Sequence, residues 1–421
     1  MYRSRSEAFR LQKQRQRRKI RKLLLLNLSM IFLIVILAVF LWQRSDGINA
    51  LPTQHPSGSG ANGPQAEGSS GPPSGQAEEE LGGGVDEPSG ESEAPAAEAE
   101  TEDEPIKLTF TGDVLLSGKI DKLMREHGYD YPYRYVAPIF QQDDLTVVNL
   151  ETPVTERGTP AVDKMFVFKS SPKAIPALAE AGVDAVNLAN NHILDQGVEG
   201  LFDTIDALDE ADIKHVGAGK DADSAFRPVY FERKGMKIAL LGFSRVVPEV
   251  SWKASAKRPG VAETYDSTRA VEAIRAAKEE ADIVLVMVHW GEEKKDLPNK
   301  FQKTLAHQYI DAGADLIIGS HPHVLQGFEQ YKGKWIAYSL GNFIFTKSSH
   351  PKTWETAIMH AECSKDGNIS LRLTPYHAEL GQAVPMDEET GKALLRRVSD
   401  ISFGAKVRDD GTIVALSDSG R

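Results

Sequence analysis

Residues 318–323 read Ile-Gly-Ser-His-Pro-His, two histidines two positions apart behind the apolar run Leu316-Ile317-Ile318. A buried strand ending in a tight Gly-Ser turn brings two imidazoles to one point in space, as metal and phosphate-handling sites require. Four other segments have the same build, each following an apolar run: Gly112-Asp113, Asn149-Leu150-Glu151, Asn190-Asn191-His192 and His289-Trp290-Gly291. The imidazoles of His289, His321 and His323 form a donor set with the carboxylates of Asp113 and Glu151 and the amide oxygen of Asn191. Such a set suits a divalent ion of the Mn, Zn or Fe kind, and one of the carboxylates can bridge two ions. His192 lies beside these ligands in sequence and has the chemistry of a general acid that protonates a leaving oxygen. Asp195, three residues on, can orient its ring. Asn149, Asn190 and Asn342 are polar neighbours able to contact a substrate or support the ligands, and Asn190 is equally suited to bonding turn backbone. Taken singly, each histidine reads as a structural residue at a strand end. The recurrence of the pattern points to one shared site.

The elements that must position these residues alternate as βαβα from Ile106 onward. Strand patterns cover Ile106–Phe110, Leu145–Leu150, Asp184–Leu188, Lys237–Gly242, Ile283–Val288, Leu316–Ile318 and Trp335–Ser339. Helix patterns cover Lys173–Ala181, Val198–Asp209, Ser267–Ala281 and Lys300–Ala312, judged by apolar spacing such as Leu201, Ile205 and Leu208. The polar motifs fall at the carboxyl ends of the strands, the edge where ligands bind in α/β sheets. Thr356–Cys363 and Ile369–Pro375 alternate without an intervening helix, which suggests a second sheet packed on the first. Trp290 and Phe343 read as pocket walls or as core. Cys363, the one cysteine of the chain, excludes an internal disulfide and reads as a buried structural thiol.

The first hundred or so residues differ in composition from the rest. Residues 1–22 form a basic arm, with ten Lys/Arg between Arg3 and Lys22. Leu23–Trp42 is apolar except for Asn27 and Ser29, and about 20 residues at 1.5 Å each span the roughly 30 Å hydrocarbon layer. A cleaved signal peptide is the competing reading, but no small-residue cleavage site follows the run. The expectation is therefore a single transmembrane helix at 23–42, with the N-terminus cytoplasmic, the remainder extracellular and the basic arm against membrane lipid. Residues 43–105 are rich in Gly, Pro, Ser, Ala and Glu, and predict a disordered linker. The net charge of -11 divides into about +9 for residues 1–46, about -13 for 47–104 and about -7 for the folded part. The folded part shows no basic stripe, which argues against nucleic acid as a partner.

Six ordered stretches resemble the CapA family, the poly-γ-glutamate capsule synthesis proteins. They are Phe110-Thr-Gly-Asp-Val114, Val148-Asn-Leu-Glu-Thr152, Asn187-Leu-Ala-Asn-Asn-His192, Val288-His-Trp-Gly-Glu292, Gly319-Ser-His-Pro-His-Val324 and Ser339-Leu-Gly-Asn-Phe343. The resemblance implies a calcineurin-like metallophosphoesterase type of fold: α/β, with two packed mixed β-sheets flanked by helices. It implies a domain over 106–377 followed by a C-terminal extension at 378–421. By position, Asp113 matches the first aspartate of that wider family, and Glu151 stands roughly where its bridging aspartate would be. Asn191 and His192 match the Asn-His pair, His289 the lone histidine, and His321 and His323 the final pair. Two departures stand out. Val114-Leu115 follows Asp113 where the family has a histidine, and Asn149-x-Glu151 replaces Gly-Asp, so a single metal and a remodelled site both stay open.

The function implied is that of a membrane-anchored extracellular accessory protein of poly-γ-glutamate synthesis or export. Its partners would be membrane subunits of the synthase complex, with the anionic polymer as ligand. A metal-dependent phosphoesterase at the cell surface and a non-catalytic scaffold are the alternatives.

Overall fold

The computed structural model describes residues 104–346 and 348–416. The expected arm at 1–22, the transmembrane helix at 23–42 and nearly all of the linker at 43–105 lie outside the described residues. Among the described residues no helix is long and apolar enough to cross a membrane.

In chain order the strands are β1 (Ile106–Val114), β2 (Leu145–Leu150), β3 (Ala185–Asn187), β4 (Lys214–Val216), β5 (Ala218–Gly219), β6 (Val229–Arg233), β7 (Met236–Ser244), β8 (Gly260–Val261) and β9 (Ile283–His289). They continue as β10 (Leu316–Ser320), β11 (Phe328–Tyr331), β12 (Lys334–Ala337), β13 (Asn342–Ile344), β14 (Glu355–Cys363), β15 (Ile369–Glu379), β16 (Gln382–Pro385), β17 (Ala405–Val407) and β18 (Thr412–Ala415). The helices are α1 (Lys119–His127), α2 (Ala137–Phe140), α3 (Ala174–Glu180), α4 (Gly197–Glu210), α5 (Ala222–Ala225), α6 (Thr268–Glu280), α7 (Lys300–Ala312) and α8 (Glu388–Asp400). One mixed sheet runs β17-β18-β15-β14-β1-β2-β3-β4, with β13 also on β1 and β16 on β15; a second runs β11-β12-β10-β9-β7-β6, and β5 and β8 form a separate two-stranded pair.

Alternation along the strands sets the layers. Ile106, Leu108, Phe110, Leu145 and Val147 of the first sheet pack against Ile238, Leu240, Ile283, Leu285, Met287 and Ile318 of the second. The opposite parity, Val148, Leu150 and Val186, buries Leu178 of α3 and Leu201 and Leu208 of α4. On the far face of the second sheet, Val284, Val286 and Val288 bury Ile274 of α6 and Leu305 and Tyr309 of α7. The result is a four-layer helix–sheet–sheet–helix stack. Continuous apolar strands such as Ile283–Val288 are buried on both faces, as parallel strands covered by helices must be.

Two sequence expectations change. The strands after residue 355 do not form the second sheet. They run antiparallel beside β1 and extend the first sheet, because hairpin-connected strands add to an edge that is already open. The boundary expected after residue 377 falls inside β15, which continues to Glu379. Beyond it, Leu394, Leu395 and Val398 of α8 join the core between the sheets, and β17 and β18 complete the first sheet, so this segment is part of the domain.

β1 changes neighbours at Gly112. Up to Phe110 it pairs with β14, and from Asp113 it pairs with β13. A Cβ on Gly112 would lie 1.9 Å from the Gly341 carbonyl oxygen. Gly112→Ala is expected to destabilise the domain by about 1–3 kcal/mol through overpacking. Chemical denaturation reads this, and a loss under about 0.5 kcal/mol, the scale of a surface substitution, would contradict it.

Candidate metal centre

The site continues the apolar space between the sheets at the carboxyl ends of their parallel strands. Two rows of polar residues face each other there. In the first sheet, register places Asn187 beside Asn149, Asn149 beside Asp113, and Asp113 beside Asn342. In the second, Ser244, His289 and Ser320 stand side by side on β7, β9 and β10. Asn149 and His289 keep the parity of the core-facing residues before them. Asp113 does not: counting from Phe110 by twos would place it on the other face. The register irregularity between Phe110 and Asp113 shifts the parity by one and turns Asp113 inward, the usual effect of a bulge beside a functional site.

These rows are hydrogen-bonded. Asn187 Nδ2 donates to Asn149 Oδ1 at 2.9 Å, and Asn149 Nδ2 donates to Asp113 Oδ1 at 2.8 Å. Asp113 Oδ2 lies 3.1 Å from His323 Nδ1, and Asn342 Oδ1 lies 2.9 Å from the same nitrogen. In the second sheet Ser320 Oγ sits 2.9 Å from His289 Nδ1, leaving Nε2 to meet Asn191 Oδ1 at 2.9 Å. The turn after β10 differs from the expected Gly-Ser turn, since Gly319 and Ser320 belong to the strand. The histidines themselves turn the chain, with φ of 94° at His321 and 57° at His323. Left-handed backbone at two non-glycine residues costs on the order of 1–3 kcal/mol each and clusters at functional sites.

Glu151 lies where the two rows meet. It is fully buried, and neither carboxylate oxygen has a hydrogen-bond partner among the described residues. His321 Nδ1 is likewise buried and unpartnered. Donor atoms of Glu151, His321 and His323 all lie within 4.8 Å of one another. His289 Nε2 is 3.6 Å and His192 Nε2 4.0 Å from Glu151 Oε1. An unpaired carboxylate out of water is costly, and a divalent cation is the partner this donor set fits.

Burial, and then the Asp113 charge, pushes the Glu151 carboxyl well above its ordinary range. Burial, and then the neighbouring imidazoles, drives His289 and His321 well below theirs, so both are neutral, as ligands must be. At His323 burial lowers the value, but the Glu151 and Asp113 carboxylates outweigh it and raise the ring to about 9. His323 thus holds a proton that a cation must displace. The apparent affinity for Mn(II) is expected to rise with pH from neutrality to about 9, by up to ~10-fold per pH unit for the one proton expelled from His323, and to flatten above that. Calorimetric titration in buffers of different ionisation enthalpy measures the released protons, and a flat profile would contradict the assignment.

His192 Nδ1 lies 2.7 Å from Asp195 Oδ2. Burial lowers the His192 pKa, opposed by the Asp195 hydrogen bond and reinforced by the Lys164 charge. Asn190 faces backbone: its Oδ1 accepts from the amides of His192 and Ile193 at 3.1 and 2.9 Å, and its Nδ2 donates to the Leu150 carbonyl. Trp290 and Phe343 are core residues.

Three contributors were not read from the sequence. Lys164 Nζ contacts the Asn191 carbonyl and Asp195 Oδ1, and lies 2.9 Å from His192 Nδ1. Phe168 packs on the His192 ring at 4.3 Å between centroids. Asn187 anchors the polar row of the first sheet.

Residues 107–347 match the bacterial capsule synthesis protein family PGA_cap. The chain is 33% identical over 337 residues to the capsule biosynthesis protein CapA of Bacillus anthracis, covering 77% of this chain and 81% of that protein. It is 33% identical over 325 residues to the PGA biosynthesis protein CapA of Bacillus subtilis strain 168, covering 76% and 84% respectively. The solved structure of TT1561 of Thermus thermophilus overlaps in part, at 10% identity and a TM-score of 0.38 over 65% of this chain and 99% of that one.

Proposed function

We propose, for a chain that belongs to the bacterial capsule synthesis protein family, that it is a membrane-anchored accessory protein of poly-γ-glutamate synthesis or export. Its domain would stand outside the cell on the Leu23–Trp42 anchor and a 43–105 spacer, beside the membrane subunits of a synthase. The observation that carries this reading is the buried, unpartnered Glu151 carboxylate facing His289, His321 and His323 in a chain of this family. The folded part carries about -7 by difference from the whole-chain -11, and an acidic surface repels a polyanion. Glu151, His321 and His323, with His289 and Asn191 adjoining, would hold a Mn, Zn or Fe ion. Once bound, it supplies positive charge to hard oxygen ligands such as a glutamate carboxylate or a phosphoryl oxygen.

The chain's own groups do the rest. Asp195 orients His192, and Lys164 fastens the 155–169 segment to the Asn191–Asp195 turn. The same dyad favours the second reading, a cell-surface phosphoesterase, because His192 Nε2 faces the Glu151 carboxylate at 4.0 Å and can hand a proton to a leaving oxygen. Deleting the gene tests the first reading: surface poly-γ-glutamate should disappear and return with a plasmid copy. Unchanged polymer in the deletion strain would overturn it.

A further inference from the structure

We infer that the site holds one cation, on the side of Glu151, His321 and His323, and that Asp113 lies outside its ligand set as the group that orients the His323 ring. The inference rests on the metal reading above and adds to it the number of ions and the role of Asp113.

The two sides of the site differ in how their polar atoms are used. On one side both Glu151 oxygens and His321 Nδ1 are buried without a hydrogen-bond partner among the described residues. On the other, Asp113 is fully engaged although it is equally buried. Its Oδ1 accepts from Asn149 Nδ2 at 2.8 Å, and its Oδ2 lies 3.1 Å from His323 Nδ1 and 3.4 Å from the His321 amide nitrogen. Asn149 and Asn342 are fixed in turn, the first by Asn187 and the second by its bond to the Thr353 carbonyl. With Nδ1 of His323 donating to Asp113 and Asn342, Nε2 is the nitrogen left with a lone pair. A cation on Asp113 would therefore face the hydrogens of Asn149 Nδ2 and His323 Nδ1.

No further donor follows Asp113 in the chain either. Val114 and Leu115 are buried apolar residues, 1% and 4% exposed. A second ion beside Asp113 would be left with that carboxylate and a share of Glu151. A carboxylate behind a metal-binding imidazole fixes its tautomer and typically contributes about 10–100-fold in metal affinity.

The test is Mn(II) titration of the metal-free full-length chain, with bound metal counted by elemental analysis and its environment read by electron paramagnetic resonance. The expected result is one ion per chain with the signal of an isolated Mn(II). Asp113→Asn should still bind one ion, about 10–100-fold more weakly. Two ions per chain, or an exchange-coupled signal, would overturn the inference whatever the variant does. Complete loss of binding in a folded Asp113→Asn chain would also overturn it, by making Asp113 a ligand. No binding at all in the wild type would remove the metal reading itself, an outcome distinct from two ions.

Discussion

Replacing Glu151 with Gln is expected to do two opposite things: abolish tight Mn(II) binding and stabilise the metal-free chain. The carboxylate is fully buried, with no hydrogen-bond partner for either oxygen among the described residues, and Asp113 adds a like charge nearby. A near-isosteric neutral amide removes the buried charge and its repulsion from Asp113 while leaving a polar group in place, so the expected gain is on the order of 1 kcal/mol, the lower end of the scale for an uncompensated buried polar group. The same change removes the anionic ligand, so affinity should fall by more than the roughly 10–100-fold typical of losing an outer-sphere partner. Thermal melts of metal-free protein together with Mn(II) titration check both arms. A structural role for Glu151 would give the reverse, a lower melting temperature in the metal-free variant.

His192→Ala carries the second large expected effect. Under the hydrolytic reading, turnover of a generic phosphodiester should fall by about 10²–10⁴-fold, the usual contribution of a positioned acid or base, while bound metal stays at the wild-type level. Lys164→Met should reproduce part of that loss, because Lys164 holds both the Asn191 carbonyl and Asp195. Turnover unchanged in His192→Ala would leave the dyad without a catalytic part and favour polymer binding over cleavage.

The sequence exposed those site residues that end an apolar run, because a polar group there interrupts a strong pattern: Glu151, Asn191, His289, His321 and His323 all follow this rule. Asp113 was found by the same rule, but its inward orientation depends on the irregularity after Phe110, which no pattern of residue types reveals. Asn187 and Ser320 are single polar residues inside strands, and their part depends on register between strands. Lys164 and Phe168 lie on an irregular segment with no periodicity, so only the fold brings them to His192. Alternation and helix spacing showed the βαβα order of an α/β fold, whereas the two packed mixed sheets flanked by helices were implied by the family resemblance. The destination of the C-terminal strands followed from neither, because antiparallel hairpins extend either sheet equally well until one edge is occupied.

The most direct measurement is surface poly-γ-glutamate in a strain that lacks the chromosomal copy and carries either the wild-type or the Glu151→Gln chain at matched protein levels. A metal-dependent accessory protein predicts full restoration by the wild type and none by Glu151→Gln, even though that variant is expected to be the more stable of the two when metal-free. Equal restoration by both chains would contradict a role for the metal centre in making or exporting the polymer.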